Sequence, residues 1–207
     1  MALVLPHSVF FHLPKTGGSF IRKTIKDLGI ENREVGGHHE SLASFADEYP
    51  RVLSGRFVFT FVRYPLTWWQ SYWAHRFLHG WSPDHPMDRV CNDSDFCRYM
   101  EQILRSDWKR HYLDLCSTFV TERTDFVGRQ ENLVADLTVA LGRAGEKFDR
   151  KSLGRLGFTN RSLSDEARYT ASLRREVKAL HRDVIRRFYP EKDSVALRYF
   201  ERMFQKQ

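Results

Sequence analysis

The chain has 207 residues and a formal net charge of +7, long enough for one domain with a sizeable core and basic enough to call for an anionic partner. Its three cysteines, Cys91, Cys97 and Cys116, form no Cys-x-x-Cys pair, which excludes a disulfide framework and a thiolate zinc site as organising features. A reducing compartment is the default, with a Cys91–Cys97 pair open only in an oxidising one.

The first element is a buried strand over Val9 to Leu13 that ends abruptly in Pro14-Lys15-Thr16-Gly17-Gly18-Ser19. Gly17 and Gly18 permit positive φ, and Ile21, Ile25 and Leu28 then recur at helical spacing. A loop between a strand and a helix N-terminus offers unpaired N–H groups and the positive end of the helix dipole to an anion. Lys15 adds a mobile charge, and Thr16 and Ser19 add hydroxyls. The lysine precedes the glycines, so this is not the Walker A order of nucleotide triphosphatases. Taken alone, such a loop is also compatible with an ordinary tight turn carrying a surface lysine.

Residues 31–56 read as a polar stretch with Gly36-Gly37-His38-His39 and a short helix at 41–48. A second buried strand spans 57–62 by its aromatic and β-branched content. Pro65 suits the first turn of a helix that Gly80 ends. Arg63 thus stands at the carboxyl end of a strand, where open α/β sheets bind ligands. Ser71 lies about 9 Å further along the helix axis, and the two side chains suit one phosphate group. On that helix Leu66, Trp69, Trp73 and Phe77 form a core stripe, leaving Trp68, Tyr72 and also Trp81 for stacking on a substrate. His75, His79 and His85 resemble zinc spacing but lack a zincin glutamate, so a polar rim is the preferred reading and no metal is assigned.

Residues 82–95 read as a loop, 96–106 and 107–115 as helix, 118–127 as a strand and 131–142 as an amphipathic helix with Leu133, Leu137, Ala140 and Leu141 inward. A basic connector follows at 142–162. Ser164 is placed as the cap of a long helix over 165–188 with the stripe Leu173, Val177, Leu180, Val184 and Phe188. Alternating strands and helices predict an α/β domain with a central parallel sheet between helical layers.

Three segments carry a family resemblance: the Pro14–Ser19 loop, the run Val62-Arg63-x-Pro65 followed by Ser71-Tyr72, and Val127-Gly128-Arg129-Gln130-Glu131-Asn132-Leu133. Together they resemble the sulfotransferases that use 3′-phosphoadenosine 5′-phosphosulfate (PAPS), in the branch with bacterial and heparan-sulfate 2-O-type carbohydrate enzymes. The resemblance spans residues 8 to about 200 and is dense around the three segments. It implies a P-loop-like central parallel sheet flanked by helices, one sulfotransferase domain over 1–207, and PAPS as sulfuryl donor without a metal. By the same resemblance Lys15, Thr16, Gly17, Gly18 and Ser19 hold the 5′-phosphosulfate. Arg63 and Ser71 hold the 3′-phosphate, with Arg161 and Ser162 as a further contact. The family more often has threonine at the place of Ser19, aspartate at that of Tyr64 and an aromatic at that of Gln130.

Lys15 is the expected catalytic electrophile at the bridging oxygen, and His38 or His39 the expected base, since a neutral imidazole can take the proton of an attacking hydroxyl. Glu40 is a weaker substitute. The implied acceptor is a carbohydrate or glycolipid hydroxyl, with no nucleic acid involved. Two rivals remain at this point: a nucleotide kinase using ATP, and a basic nucleic-acid-binding module supported by charge and aromatics. No apolar run reaches the roughly 18 residues of a membrane span, and the N-terminus lacks the basic start of a secretion signal, so the expected localisation is cytoplasmic.

Overall fold

The structure, a computed structural model, describes residues 2–37, 40–155 and 166–193. Five strands run in chain order: β1 (Ala2–Val4), β2 (Ser8–Phe11), β3 (Arg33–Val35), β4 (Phe57–Val62) and β5 (Phe126–Arg129). The helices among the described residues are α1 (Gly18–Asp27), α2 (Leu42–Glu48), α3 (Pro50–Leu53), α4 (Pro65–His79), α5 (Pro86–Val90), α6 (Phe96–Arg105), α7 (His111–Phe119), α8 (Leu133–Arg143), α9 (Arg150–Arg155), α10 (Ala171–Leu180) and α11 (Arg182–Phe188). The chain divides into two compact units, one of Met1–Arg63 with Asp114–Asn160 and one of Tyr64–Leu113 with Arg161–Gln207.

The first unit is α/β. Its sheet has the order β3-β1-β2-β4-β5, with β2, β4 and β5 parallel and β1 antiparallel to both of its neighbours. The sheet is therefore mixed rather than wholly parallel. Only Leu5, Pro6 and His7 separate β1 from β2, and a link that short closes an antiparallel pair, not a crossover. The polar edge strand β3 escapes a hydrophobicity reading because its residues are exposed or half-buried and its order comes from pairing with β1.

Alternation along β2 sends Phe10 and Phe11 to opposite faces. On one face Phe10, Phe59 and Phe61 pack with Ile21 and Ile25 of α1, Leu133, Leu137, Ala140 and Leu141 of α8, and Leu153 of α9. Each fully buried isoleucine of α1 contributes roughly 2 kcal/mol of apolar transfer free energy. On the other face Phe45 of α2 meets the Phe11 ring edge-on at 5.1 Å between centroids. Gly128 faces Phe61 in register, and a Cβ there would come within 2.4 Å of that ring, so β5 admits only glycine at this point.

The second unit is helical. Trp68 of α4 stacks on Tyr112 at 4.5 Å and is fully buried. Trp73 packs edge-on to Phe96 at 5.5 Å, and the Tyr169 hydroxyl donates to Leu66 O at 3.0 Å. Trp68 and Tyr72 are thus core residues, not exposed stacking faces, whereas Phe77, expected in the core stripe, is 41 % exposed. The strand expected over 118–127 is restricted to its end. Tyr112, Cys116 and Phe119 are buried at helical spacing, which keeps α7 helical to Phe119 before the turn into β5. The expected 82–95 loop contains α5, with Pro86 in its first turn.

The long helix expected over 165–188 starts at Ala171, where Thr170 Oγ1 accepts the Leu173 N–H at 3.2 Å. It breaks at His181, whose φ of −100° and ψ of 21° leave the helical region. The break moves the buried stripe of the last segment to Val184 and Ile185, with Phe188 only half-buried. Ser164 lies outside the described residues. Cys91, Cys97 and Cys116 are not joined by disulfides, and Cys91 and Cys97 donate to Ser106 Oγ and Arg168 O respectively.

Candidate functional site

The candidate site of the first unit is the loop that leaves β2. After His12 and Leu13, Lys15 takes φ = 66°, and Gly17 takes φ = 90°, with Thr16 on the ordinary negative side between them. Alternation of this kind turns successive N–H groups toward one concavity. For Gly17 the conformation is free of cost, but for Lys15 it stores about 1 kcal/mol or more. Thr16 is fully buried and its hydroxyl donates to Leu13 O at 2.7 Å, so that proton is committed to shaping the turn and the residue offers its main chain.

Gly17 is the N-cap of α1, with no side-chain cap and no acidic residue in the first turn. The opening N–H groups of α1 therefore keep the anion-attracting character of a helix N-terminus. Close packing explains both glycines. A Cβ on Gly17 would lie 2.7 Å from Leu133 Cδ2, and one on Gly18 only 1.9 Å from the His12 ring, which itself stacks on Phe10 at 6.2 Å. Ser19 is exposed at the start of the helix and Lys15 is half-buried.

Arg63 follows β4, the parallel neighbour of β2, and its Nη1 donates to Lys15 O at 3.3 Å. Thr60 Oγ1 donates to Phe11 O at 2.8 Å and ties the two strands just below. The 127–133 segment arrives on β5. Arg129 N–H donates to Asp136 Oδ2 at 2.6 Å, and residues Gln130–Ala135 line a cavity of about 300 Å³ whose Leu133 also meets Gly17. The loop after β2, Arg63 and the 127–133 segment thus lie together at the carboxyl ends of β2, β4 and β5.

The remaining candidates are placed differently. Ser71 is buried on α4, in the second unit. His38, His39, Arg161 and Ser162 lie outside the described residues. Gly36, just before the histidines in the sequence, has φ = 81°, and the Gly37 N–H donates to Glu40 Oε2 at 2.7 Å. His79 Nδ1 lies 2.9 Å from His75 O, and no group of three potential metal ligands occurs among the described residues.

Sequence reasoning missed His12, since a lone histidine at a strand end carries no motif. It also missed Glu146, buried where its Oε1 accepts His7 N–H at 3.0 Å and Ser8 Oγ–H at 2.7 Å, a contact across 138 residues with no local signal. No helix among the described residues is long and apolar enough to cross a membrane.

Fold and site define an α/β chain with a left-handed loop and an uncapped helix N-terminus at the carboxyl ends of a parallel strand group. No protein-family model matches the chain, nor does any curated protein or solved structure.

Proposed function

We propose that this chain is a sulfotransferase that moves a sulfuryl group from PAPS to a hydroxyl of a carbohydrate or glycolipid. The observation that carries the reading is the left-handed Lys15 and Gly17 pair opening onto the uncapped N-terminus of α1, with Arg63 at 3.3 Å from the loop backbone. A multiply charged anion is the ligand such a loop stabilises. The resemblance of the three segments supplies the identity of that anion.

In this reading the main-chain N–H groups of Gly17, Gly18 and Ser19 receive the 5′-phosphosulfate and Arg63 receives the 3′-phosphate; the resemblance alone implies Ser71, Arg161 and Ser162 as further contacts to it. The acceptor oxygen forms a bond to sulfur as the bond from sulfur to the bridging oxygen breaks. The electron pair leaves on the 5′-phosphate of adenosine 3′,5′-bisphosphate. Lys15 stabilises that developing charge, and His38 or His39 takes the hydroxyl proton. Catalysis is positioning and electrostatics.

Thermal unfolding with two nucleotides tests the donor assignment. Adenosine 3′,5′-bisphosphate raises the melting temperature well above the shift from AMP at equal concentration, because a ligand stabilises by its affinity for the native state. Equal shifts from both would overturn the 3′-phosphate contact.

A further inference from the structure

The helical unit holds a second built arrangement, around Asp88. This carboxylate is 2 % exposed. Its Oδ2 accepts the Ser82 N–H at 2.9 Å, and its Oδ1 lies 3.3 Å from Arg76 Nε and 3.6 Å from His85 Nδ1. The backbone closes the same ring, since His85 N–H donates to Ser82 O at 3.1 Å and Asp88 N–H donates to His85 O at 3.0 Å. The carboxylate thus faces the imidazole across a gap longer than a hydrogen bond, and its charge acts on Nδ1 electrostatically.

Nδ1 of His85 is buried against the carboxylate, while the side chain as a whole is 34 % exposed, so the open edge of the ring carries Nε2. A proton on Nδ1, facing Asp88, leaves a lone pair on Nε2. Burial, followed by the Arg76 charge, lowers the His85 pKa against the opposing pull of Asp88, which keeps the ring neutral near pH 7. Half-buried Trp108 stands beside it, with ring centroids 6.4 Å apart and planes at 36°. Its half-buried indole offers a flat apolar surface next to the imidazole acceptor. Pyranoses with equatorial hydroxyls match both, because their C–H faces are apolar and their rims are hydroxyl donors.

We propose that His85 and Trp108 form a carbohydrate subsite of the helical unit, in which His85 Nε2 accepts a hydrogen bond from a sugar hydroxyl while Trp108 covers a face of the same ring. Asp88, whose charge faces Nδ1 at 3.6 Å, is the positioning residue that favours the tautomer with its proton there. The inference rests on the carbohydrate half of the proposed function and names where that substrate is held.

The test titrates full-length protein with cellotetraose and follows the Trp108 indole, assigned with Trp108→Phe, and the His85 ring by NMR. Both signals shift together at millimolar sugar, and His85→Ala and Trp108→Phe each weaken binding roughly tenfold, the scale of a lost neutral hydrogen bond or stacking contact. Two-bond nitrogen spectra show the Nδ1–H tautomer in the wild type, and Asp88→Asn shifts it toward Nε2–H. If Asp88→Asn fails to fold, the wild-type tautomer and the two surface variants decide the matter alone. An Nε2–H tautomer in the wild type, or no indole shift with cellotetraose, overturns the subsite. Adenosine 3′,5′-bisphosphate is titrated in parallel: sugar binding without nucleotide binding overturns the donor reading and leaves the subsite standing.

Discussion

Arg63 Nη1 donates to the main-chain oxygen of Lys15 across 3.3 Å, tying the end of β4 to the loop after β2. One guanidinium thereby steadies a left-handed lysine, and in the proposed reaction it also meets a phosphate. These two tasks separate experimentally.

Arg63→Ala weakens adenosine 3′,5′-bisphosphate binding by about 10- to 100-fold, the scale of a lost charge-assisted hydrogen bond. Arg63→Lys recovers little of this, since a point charge lacks the planar fork of donors. Calorimetric titration of the three proteins checks it, and unchanged affinity in Arg63→Ala would remove Arg63 from the donor site.

Lys15 carries both strain and charge, so its variants split stability from activity. Lys15→Gly relieves the positive φ of 66° and stabilises the fold by up to about 1 kcal/mol, whereas Lys15→Ala does not. Both are expected to lose turnover far more than product-nucleotide affinity, because in the proposed reaction the lysine acts on the departing oxygen. Chemical denaturation and transfer kinetics on the same samples decide the point; near-normal turnover in either variant removes Lys15 from catalysis.

Gly18→Ala forces a methyl to within 1.9 Å of the His12 ring unless that ring moves. The fold loses roughly 2 kcal/mol or more, in the range of overpacked sites. Adding His12→Ala returns part of the loss, and a double-mutant cycle reads the coupling. Strict additivity would show that the ring is not what Gly18 avoids.

His181 sits where α10 gives way to α11, fully buried, with Nδ1 2.9 Å from Val177 O. Burial lowers its pKa to about 4, from 6.5. The unfolded chain therefore binds a proton in a range where the folded one does not. Its contribution is complete above pH 6.5 and falls away as pH drops toward 4, by up to about 3 kcal/mol. Denaturation midpoints over that range measure it, and His181→Leu flattens the profile. An unchanged slope in that variant would place the acid sensitivity elsewhere.

His38→Ala abolishes most transfer while leaving adenosine 3′,5′-bisphosphate affinity near normal, and His39→Ala is its control. Histidine as base also makes activity fall as pH drops, because a protonated imidazole cannot take the hydroxyl proton. Wild-type rates in both single variants would direct the search to Glu40.

Elements whose signals lie within a few residues of one another were legible from the chain alone. The span of β4, the start of α4 at Pro65 and its end before Gly80, and the inward set Leu133, Leu137, Ala140 and Leu141 of α8 all stand as the pattern predicts. Each rests on local chemistry: β-branched and aromatic runs, a fixed proline φ, helical periodicity. The strand–loop–helix turn over Ser8–Asp27 was legible for the same reason, since a strand, two glycines and a helix onset are contiguous.

What tertiary structure alone decided are the meetings of residues far apart in the chain, for which no periodicity carries a signal. The antiparallel setting of β1, the burial of Trp68 against Tyr112, the seating of Gly17 beneath Leu133 and the meeting of Asp88 with Arg76 and His85 depend on which surfaces the fold brings together. Sequence determined which residue types could form a phosphate-receptive loop. Packing determined that Thr16 spends its hydroxyl on the turn and that Arg63 reaches the loop's backbone, because burial makes every polar group find its partner in three dimensions.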